Sequence, residues 1–347
     1  MTIRGGSIKL LLVAGAVACS AMPPALAPAP AALPPPVPYD TAVAQIARRQ
    51  AADDSVVAAG GRSILLTHGA VATRVVVLLH GFTDSPEQFE ALGRLLYAAG
   101  DNVYIPRLPH HAERVAPVRT LGRVRAAELA AFGDSVINVA RGLGDTVIVG
   151  GLSAGGALTG HIAQTRREVR RAVLIAPAIA AGLVSDDHDD ALIVLASRLP
   201  DITRSDKPDT TRPGYVQGLS THGLAEVLRL GQTVREKASA SAPGAAEMVF
   251  LLNELDHTVS EDASLAVARS WLDHGANVTV YRFPRTRKLP HNVMEVAARG
   301  GNPALVLPVV EALFRSLPPP ATVDLLPLPC SGLRCTLRRM LTGGGAP

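Results

Sequence analysis

A serine set among small residues, Gly151-Leu152-Ser153-Ala154-Gly155, joins a β-like run to a helix-like one, and few folds accommodate that junction. Ahead of it, Asp145-Thr146-Val147-Ile148-Val149-Gly150 has the β-branched apolar content of a buried strand. Behind it, Ala154 to Gln164 is Ala-rich and helix-like. Turning from strand directly into helix strains the backbone and brings the two elements close together. Glycines at 151 and 155 tolerate that approach, and the serine hydroxyl is left exposed at the top of a sheet. A G-x-S-x-G string arises by chance in small-residue loops, so its strand and helix context is what gives it weight. The near-match Gly218-Leu219-Ser220-Thr221-His222 lacks the later glycine and any β run before it, so Ser220 reads as a loop or helix-cap residue.

The rest of the chain supplies a setting for such a junction. At 347 residues it can bury one large α/β domain with appendages. Val75 to Leu79 is a continuous apolar run suited to a strand buried on both faces. From there β-like and helix-like stretches alternate: helix from Pro86 to Ala99, strand from Asn102 to Pro106, helix from Gly122 to Arg141, then the Ser153 junction and a strand ending near Ala176. The pattern resumes with Met248 to Asn253 as strand, Asp262 to His274 as helix, Val278 to Phe283 as strand and Pro303 to Ser316 as helix. Alternation of this kind predicts a mostly parallel twisted sheet flanked by helices on both faces. The interruption at about 177–237 shows no obvious strand and reads as a cap over the carboxyl ends of the strands, with a helix near Leu224 to Leu230. Its acidic cluster, Asp186, Asp187, His188, Asp189 and Asp190, reads as a solvated loop, with a divalent-cation site as the competing reading.

The net charge of +4 is spread along solvated faces, and no basic run is interleaved with aromatics, which argues against a nucleic-acid partner. Residues 1–18 have the form of an export signal: Arg4 and Lys9, an apolar run from Leu10 to Ala18 too short to span a bilayer, and Ala16-Val17-Ala18 for cleavage. Cys19 follows at once, so a lipidated cysteine tethered to a membrane and simple cleavage both stay open. The expected location is outside the cytoplasm: periplasmic, secreted or lipid-anchored at the envelope. Residues 19–38 form an Ala/Pro-rich linker, 39–317 the folded domain, and 318–347 a tail in which Cys330 and Cys335 are candidates for a local disulfide.

A serine hydroxyl needs a base, and the base needs an orienting carboxylate. Where a strand–serine–helix turn supplies the nucleophile, the chain order is Ser, then Asp or Glu, then His. The strand from Met248 to Asn253 leads to Glu254-Leu255-Asp256, and Asp256 is favoured over Glu254 as the acid. Asp262 reads as a first-turn helix residue. The strand from Val278 to Phe283 leads to Leu289-Pro290-His291-Asn292, which makes His291 the base. His257, His274, His68, His188 and His222 read as rim or structural residues, with His274 capping a helix end. The oxyanion produced during acyl transfer would be met by the backbone N–H groups of Ala154 and Phe82, with Gly81 allowing the close turn and His80 shaping the loop.

Together His80-Gly81-Phe82, Gly151-Leu152-Ser153-Ala154-Gly155, Asp256 and His291 resemble the α/β-hydrolase superfamily over residues 60–317, and within it the carboxylesterase and monoacylglycerol-lipase-like branch. Tyr104 to His111 is similar to that branch's stretch ending Gly-His-Gly, except that His110 stands at its first glycine and Ala112 at its second. The resemblance implies an α/β-hydrolase fold and hydrolysis of a small to medium acyl ester, or a monoacylglycerol-like lipid, through an acyl-enzyme that requires no cofactor and no metal. Relatives with an Asp nucleophile are set aside because Ser153 stands at that position. Peptidases, amidases and thioesterases share the triad, and a non-catalytic binding protein retaining the fold is the alternative from another class.

Overall fold

The fold is known from a computed structural model that describes residues 35–182, 186–205, 214–295 and 300–329, the side chains of 186–190 and 192 excepted. The signal segment, Cys19, most of the 19–38 linker, Cys330 and Cys335 lie outside the described residues.

The elements in chain order are α1 (Tyr39–Val56), β1 (Ile64–Leu66), β2 (Ala72–Leu79), α2 (Glu90–Ala98), β3 (Asn102–Ile105), α3 (Pro117–Leu121), α4 (Ala126–Ala140), β4 (Gly144–Leu152), α5 (Ala154–Thr165) and β5 (Val169–Ile175). Then follow α6 (Asp186–Arg198), β6 (Thr203–Ser205), β7 (Gly218–Ser220), α7 (Thr221–Ala240), β8 (Met248–Asn253), α8 (Glu261–Asp273), β9 (Val278–Phe283), α9 (Pro303–Phe314) and β10 (Asp324–Leu325). The main sheet has eight strands in the order β1-β3-β2-β4-β5-β8-β9-β10. Its six central strands are parallel, and β1 and β10 close the edges antiparallel.

Side-chain alternation along the central strands divides the core in two. Val75, Val77, Leu79, Val147, Val149, Leu174, Phe250 and Leu252 face one cluster, which α4, α5, α7 and α8 cover through Ile137, Leu158, Leu230 and Trp271. Val76, Leu78, Ile148, Val173, Ile175, Val249 and Leu251 face the other, covered by α2 and α9 through Leu92, Leu96, Val310 and Phe314. Each such buried Val, Leu, Ile or Phe contributes about 1.5–3 kcal/mol, so the sheet holds its register firmly. The order β3-β2-β4 reverses the direction of winding at the β2–β4 pair, and in open α/β sheets ligands bind beyond the carboxyl ends of the strands at such a switch point.

Four expectations need correction. The stretch from Gly122 to Arg141 is not one helix, because α3 ends at Gly122 and α4 starts after an extended Arg125. No local side chain caps α4; instead Glu226 of α7 accepts the Ala126 N–H at 2.9 Å. The cap does contain strands, since β6 and β7 pair antiparallel as a short ribbon. Its acidic cluster opens helix α6 and is not a loop. Finally, the domain does not stop at 317: β10 pairs with β9, and Leu328 is buried. Ser220 is the N-cap of α7, its hydroxyl accepting the Gly223 N–H.

Candidate active site

Ser153 sits alone between the end of β4 and the start of α5, with φ 56° and ψ −113°. For a residue with a side chain this is strained backbone, held only because the surroundings leave it no alternative. Its N–H bonds to Ile175 O at 3.0 Å, extending the β4–β5 ladder, and its carbonyl accepts from Ala157 and Ala178 at 2.9 Å each. The turn is as tight as the glycines suggest. A Cβ on Gly155 would lie 1.9 Å from Leu79 O, and one on Gly151 would lie 2.5 Å from Gly155 backbone atoms.

The β2–β4 register sets Leu79 against Gly151, so the loop after β2 lies beside the serine turn. In that loop the peptide joining Gly81 to Phe82 is fixed through its carbonyl. Gly81 O accepts from His80 Nδ1 at 2.9 Å and from the Asp84 N–H at 3.1 Å. A trans peptide directs its N–H the opposite way, and among the described residues the Phe82 N–H donates to none. The Ala154 N–H, at the first position of α5, has no partner within its helix either. His80 is buried. Its Nε2 accepts the Leu108 N–H at 3.1 Å, which leaves the proton on Nδ1. Burial first, then the neighbouring His111, pushes its pKa well below the usual imidazole range, so it is a neutral structural donor.

Asp256 follows β8, and His291 lies on the loop after β9. His291 Nδ1 and Asp256 Oδ2 are 2.6 Å apart, and Asp256 Oδ1 accepts the Thr258 N–H at 2.8 Å. The carboxylate is almost wholly buried and the imidazole partly open. This partner assigns the proton to Nδ1 and leaves the Nε2 lone pair as the basic site. No hydrogen bond joins Ser153 Oγ to His291 among the described residues. In unliganded enzymes such contacts are often long and tighten when substrate binds. Glu254, the rival acid, turns instead to Arg285, whose N–H it accepts at 2.9 Å.

Sequence reasoning passed over Asn253. Buried at the end of β8, it donates Nδ2 to both Leu289 O and Pro290 O at 3.1 Å, clamping the residues just before His291. Its only sequence signal was a polar residue closing an apolar strand. Three of the other histidines have structural contacts. His68 stacks on Tyr97, His222 contacts Leu199 O, and His274 reaches Ser239 O near the end of α7, not its own helix's carbonyls. His257 is exposed, and the side chain of His188 lies outside the described residues.

The Gly-His-Gly-like stretch keeps a glycine-type backbone without glycine. His110 has φ 64° and Ala112 φ 55°. Arg107 braces it, bonding Asp53 of α1 at 2.8 Å and His111 O at 2.9 Å, while Ala58 N–H reaches Ala112 O at 2.8 Å. His111 is buried between them, its Nδ1 2.7 Å from Pro109 O and its ring edge-on to His80 and Phe82. Burial lowers its pKa to about 4. The cap roofs this region: Val216 N–H bonds Thr83 O at 2.8 Å, and the Phe82 ring packs where α7 begins, at Gly223. Among the described residues, no group of three or more His, Cys, Asp or Glu side chains is placed to hold a metal ion. No described helix is long and apolar enough to cross a membrane.

Residues 76–301 match the Alpha/beta hydrolase family. The chain belongs to that family. This α/β hydrolase is 29% identical over 197 residues to the thermostable monoacylglycerol lipase of Bacillus sp. (strain H-257), a match covering 53% of this chain and 71% of that one. Its fold is similar to a solved structure of the metagenome-derived lipolytic enzymes LipS and LipT, with a TM-score of 0.56, 18% identity, and coverage of 75% of this chain and 99% of that one. It is also similar to the monoacylglycerol lipase of Paleococcus ferrophilus, with a TM-score of 0.53, 19% identity, and coverage of 67% and 92%.

Proposed function

We propose that this α/β hydrolase cleaves carboxylic esters through Ser153, His291 and Asp256. The observation that carries the reading is the 2.6 Å contact of His291 Nδ1 with the buried Asp256 carboxylate, at the same sheet edge as the strained Ser153. Ser153 Oγ attacks the ester carbonyl carbon while His291 Nε2 takes its proton. The carbonyl π pair moves to oxygen, where the Phe82 and Ala154 N–H groups receive it. Each such donor is worth about 2.7–4 kcal/mol in the transition state. As the carbonyl re-forms, the C–O bond to the alcohol breaks and the alcohol leaves with the proton from His291. Water deprotonated by His291 then attacks the acyl-serine, releasing the acid and restoring the hydroxyl. Asp256 stabilises the imidazolium in both halves and is not itself protonated.

The relatives' monoacylglycerol and lipolytic activities support small to medium acyl esters or monoacylglycerol-like lipids as substrates here. The test is turnover of p-nitrophenyl butyrate. Ser153→Ala should lower kcat by a factor on the order of 10⁴–10⁶, and retention of most activity would identify another nucleophile. Faster hydrolysis of an aminoacyl anilide or an acyl thioester than of the oxygen ester would overturn the substrate class. We further propose export, on the strength of Arg4, Lys9 and the Leu10 to Ala18 run. Mass analysis of the mature N-terminus decides between cleavage and lipidation at Cys19, and an intact Met1 in the mature protein would refute both.

A further inference from the structure

We propose that Gln88, Asp84 and Asn292 are positioning residues, a hydrogen-bonded chain that ties the oxyanion-hole loop to the loop carrying the general base. The proposal rests on the catalytic reading above. Gln88 lies in the short 3₁₀ turn Pro86–Phe89. Its Oε1 accepts the Gly81 N–H at 2.9 Å, and its Nε2 donates to Asp84 Oδ2 at 2.8 Å. The same carboxylate oxygen accepts Asn292 Nδ2 at 3.3 Å. Asn292 directly follows His291, so two loops separated by 208 residues meet on one buried oxygen. Asn292 Nδ2 also approaches Glu295 Oε2 at 3.5 Å.

The chemistry of the loop explains why a tie is needed. Gly81 has the softest backbone of any residue, yet its carbonyl belongs to the peptide that carries the Phe82 N–H. The peptide before Gly81 is held by Gln88. The peptide after it is held by His80 Nδ1 and the Asp84 N–H. Asp84 therefore acts twice, with its backbone on the oxyanion peptide and its side chain on the base's loop. An acceptor-only carboxylate suits the place, because two amide N–H donors converge on it. During acylation the proton reaches His291 while charge develops at the oxyanion, so the separation between hole and base decides the rate. Misplacement by about 1 Å can cost on the order of a hundredfold. Because Gly81 N–H is already engaged by Gln88, the Phe82 N–H is the amide of this pair left for the oxyanion.

The experiment measures kcat and KM for p-nitrophenyl butyrate, the rate of fluorophosphonate labelling and the thermal midpoint, in the full chain. The variants are Gln88→Leu, Asn292→Ala, their double, and Asp84→Asn. Each of the first two should lower kcat and the labelling rate roughly ten- to a hundredfold while KM stays within about threefold. The double should be no worse than the more damaged single, since either break uncouples the same tie. Asp84→Asn, which keeps an acceptor oxygen, should retain most of kcat. Losses that multiply in the double, or a kcat within twofold of wild type in both singles, would overturn the chain. If either single fails to fold, Asp84→Asn decides: a hundredfold loss of kcat at an unchanged thermal midpoint would count against positioning. Wild-type protein that is not labelled at Ser153 would instead refute the catalytic reading itself. Normal labelling of wild type and of all network variants refutes only the tie.

Discussion

Acid should destabilise this protein through its buried histidines, His111 among them. The His111 ring is fully buried, and its pKa is lowered to about 4 from an ordinary 6.5, first by burial. In the unfolded chain it takes a proton near pH 6.5, whereas the folded protein refuses one until about pH 4. Unfolded protein thus binds more protons across that interval, and stability present above pH 6.5 is lost as pH falls through it. At 1.36 kcal/mol per unit, the whole shift is worth about 3 kcal/mol, of which about 2 kcal/mol is gone by pH 5. His80 is shifted the same way, so it deepens the loss. Burial lowers the His161 pKa as well, burial raises that of Asp101 so that it works against the loss, and three carboxyls among the described residues are lowered, Glu254 among them by the Arg285 N–H. In Glu168 burial is outweighed by the Arg166 hydrogen bond, and in Asp201 it is outweighed by the His222 N–H and the Ser220 hydroxyl, so both sit below the usual range and stay ionised at pH 5. The assay is urea unfolding at pH 7.5 and 5.0 for wild type and His111→Phe. The variant gives up the bond to Pro109 O at both pH values, but its stability difference between them should shrink by about 2 kcal/mol. An undiminished pH difference in the variant would refute the reasoning.

Three further outcomes are expected. Gly155→Ala places a Cβ 1.9 Å from Leu79 O and should destabilise by about 3 kcal/mol or more in chemical unfolding; wild-type stability would show that strand and helix can separate there. Asp256→Asn should cost kcat on the order of 10⁴, whereas Glu254→Gln, which loses only an exposed pairing with Arg285, should stay within about threefold, and the reverse ranking would reassign the acid. Gly61→Ala drives its methyl to 2.7 Å from Ala112 Cβ and should be strongly destabilising. Adding Ala112→Gly should restore part of that loss, and strictly additive effects in thermal unfolding would deny the contact.

What could be read in advance, and what could not, follows from range. That Ser153, Asp256 and His291 fall on loops at the carboxyl ends of strands was legible, because a parallel sheet brings the loops after β4, β8 and β9 to one end. Asn253, Asp84 and Asn292 were not, because their hydrogen bonds join segments far apart in the chain, and Gln88, whose partners Gly81 and Asp84 are local, was not because a lone polar residue carries no periodicity. The same holds for α4, whose start is set by Glu226 a hundred residues later, and for β10, whose two residues pair with β9 from inside a Pro-rich tail. His110 and Ala112 sharpen the point. A glycine in a motif is a statement about φ, and here the φ survives without the glycine. An αL residue with a side chain costs about 1–2 kcal/mol. Arg107 bridging Asp53 to His111 O, the Ala58 N–H on Ala112 O, and Gly61 making room for the Ala112 methyl offset that cost. Gly61 and Ala112 are thus coupled, because a Cβ at 61 would lie 2.7 Å from the Ala112 methyl, a contact that residue spacing alone does not reveal.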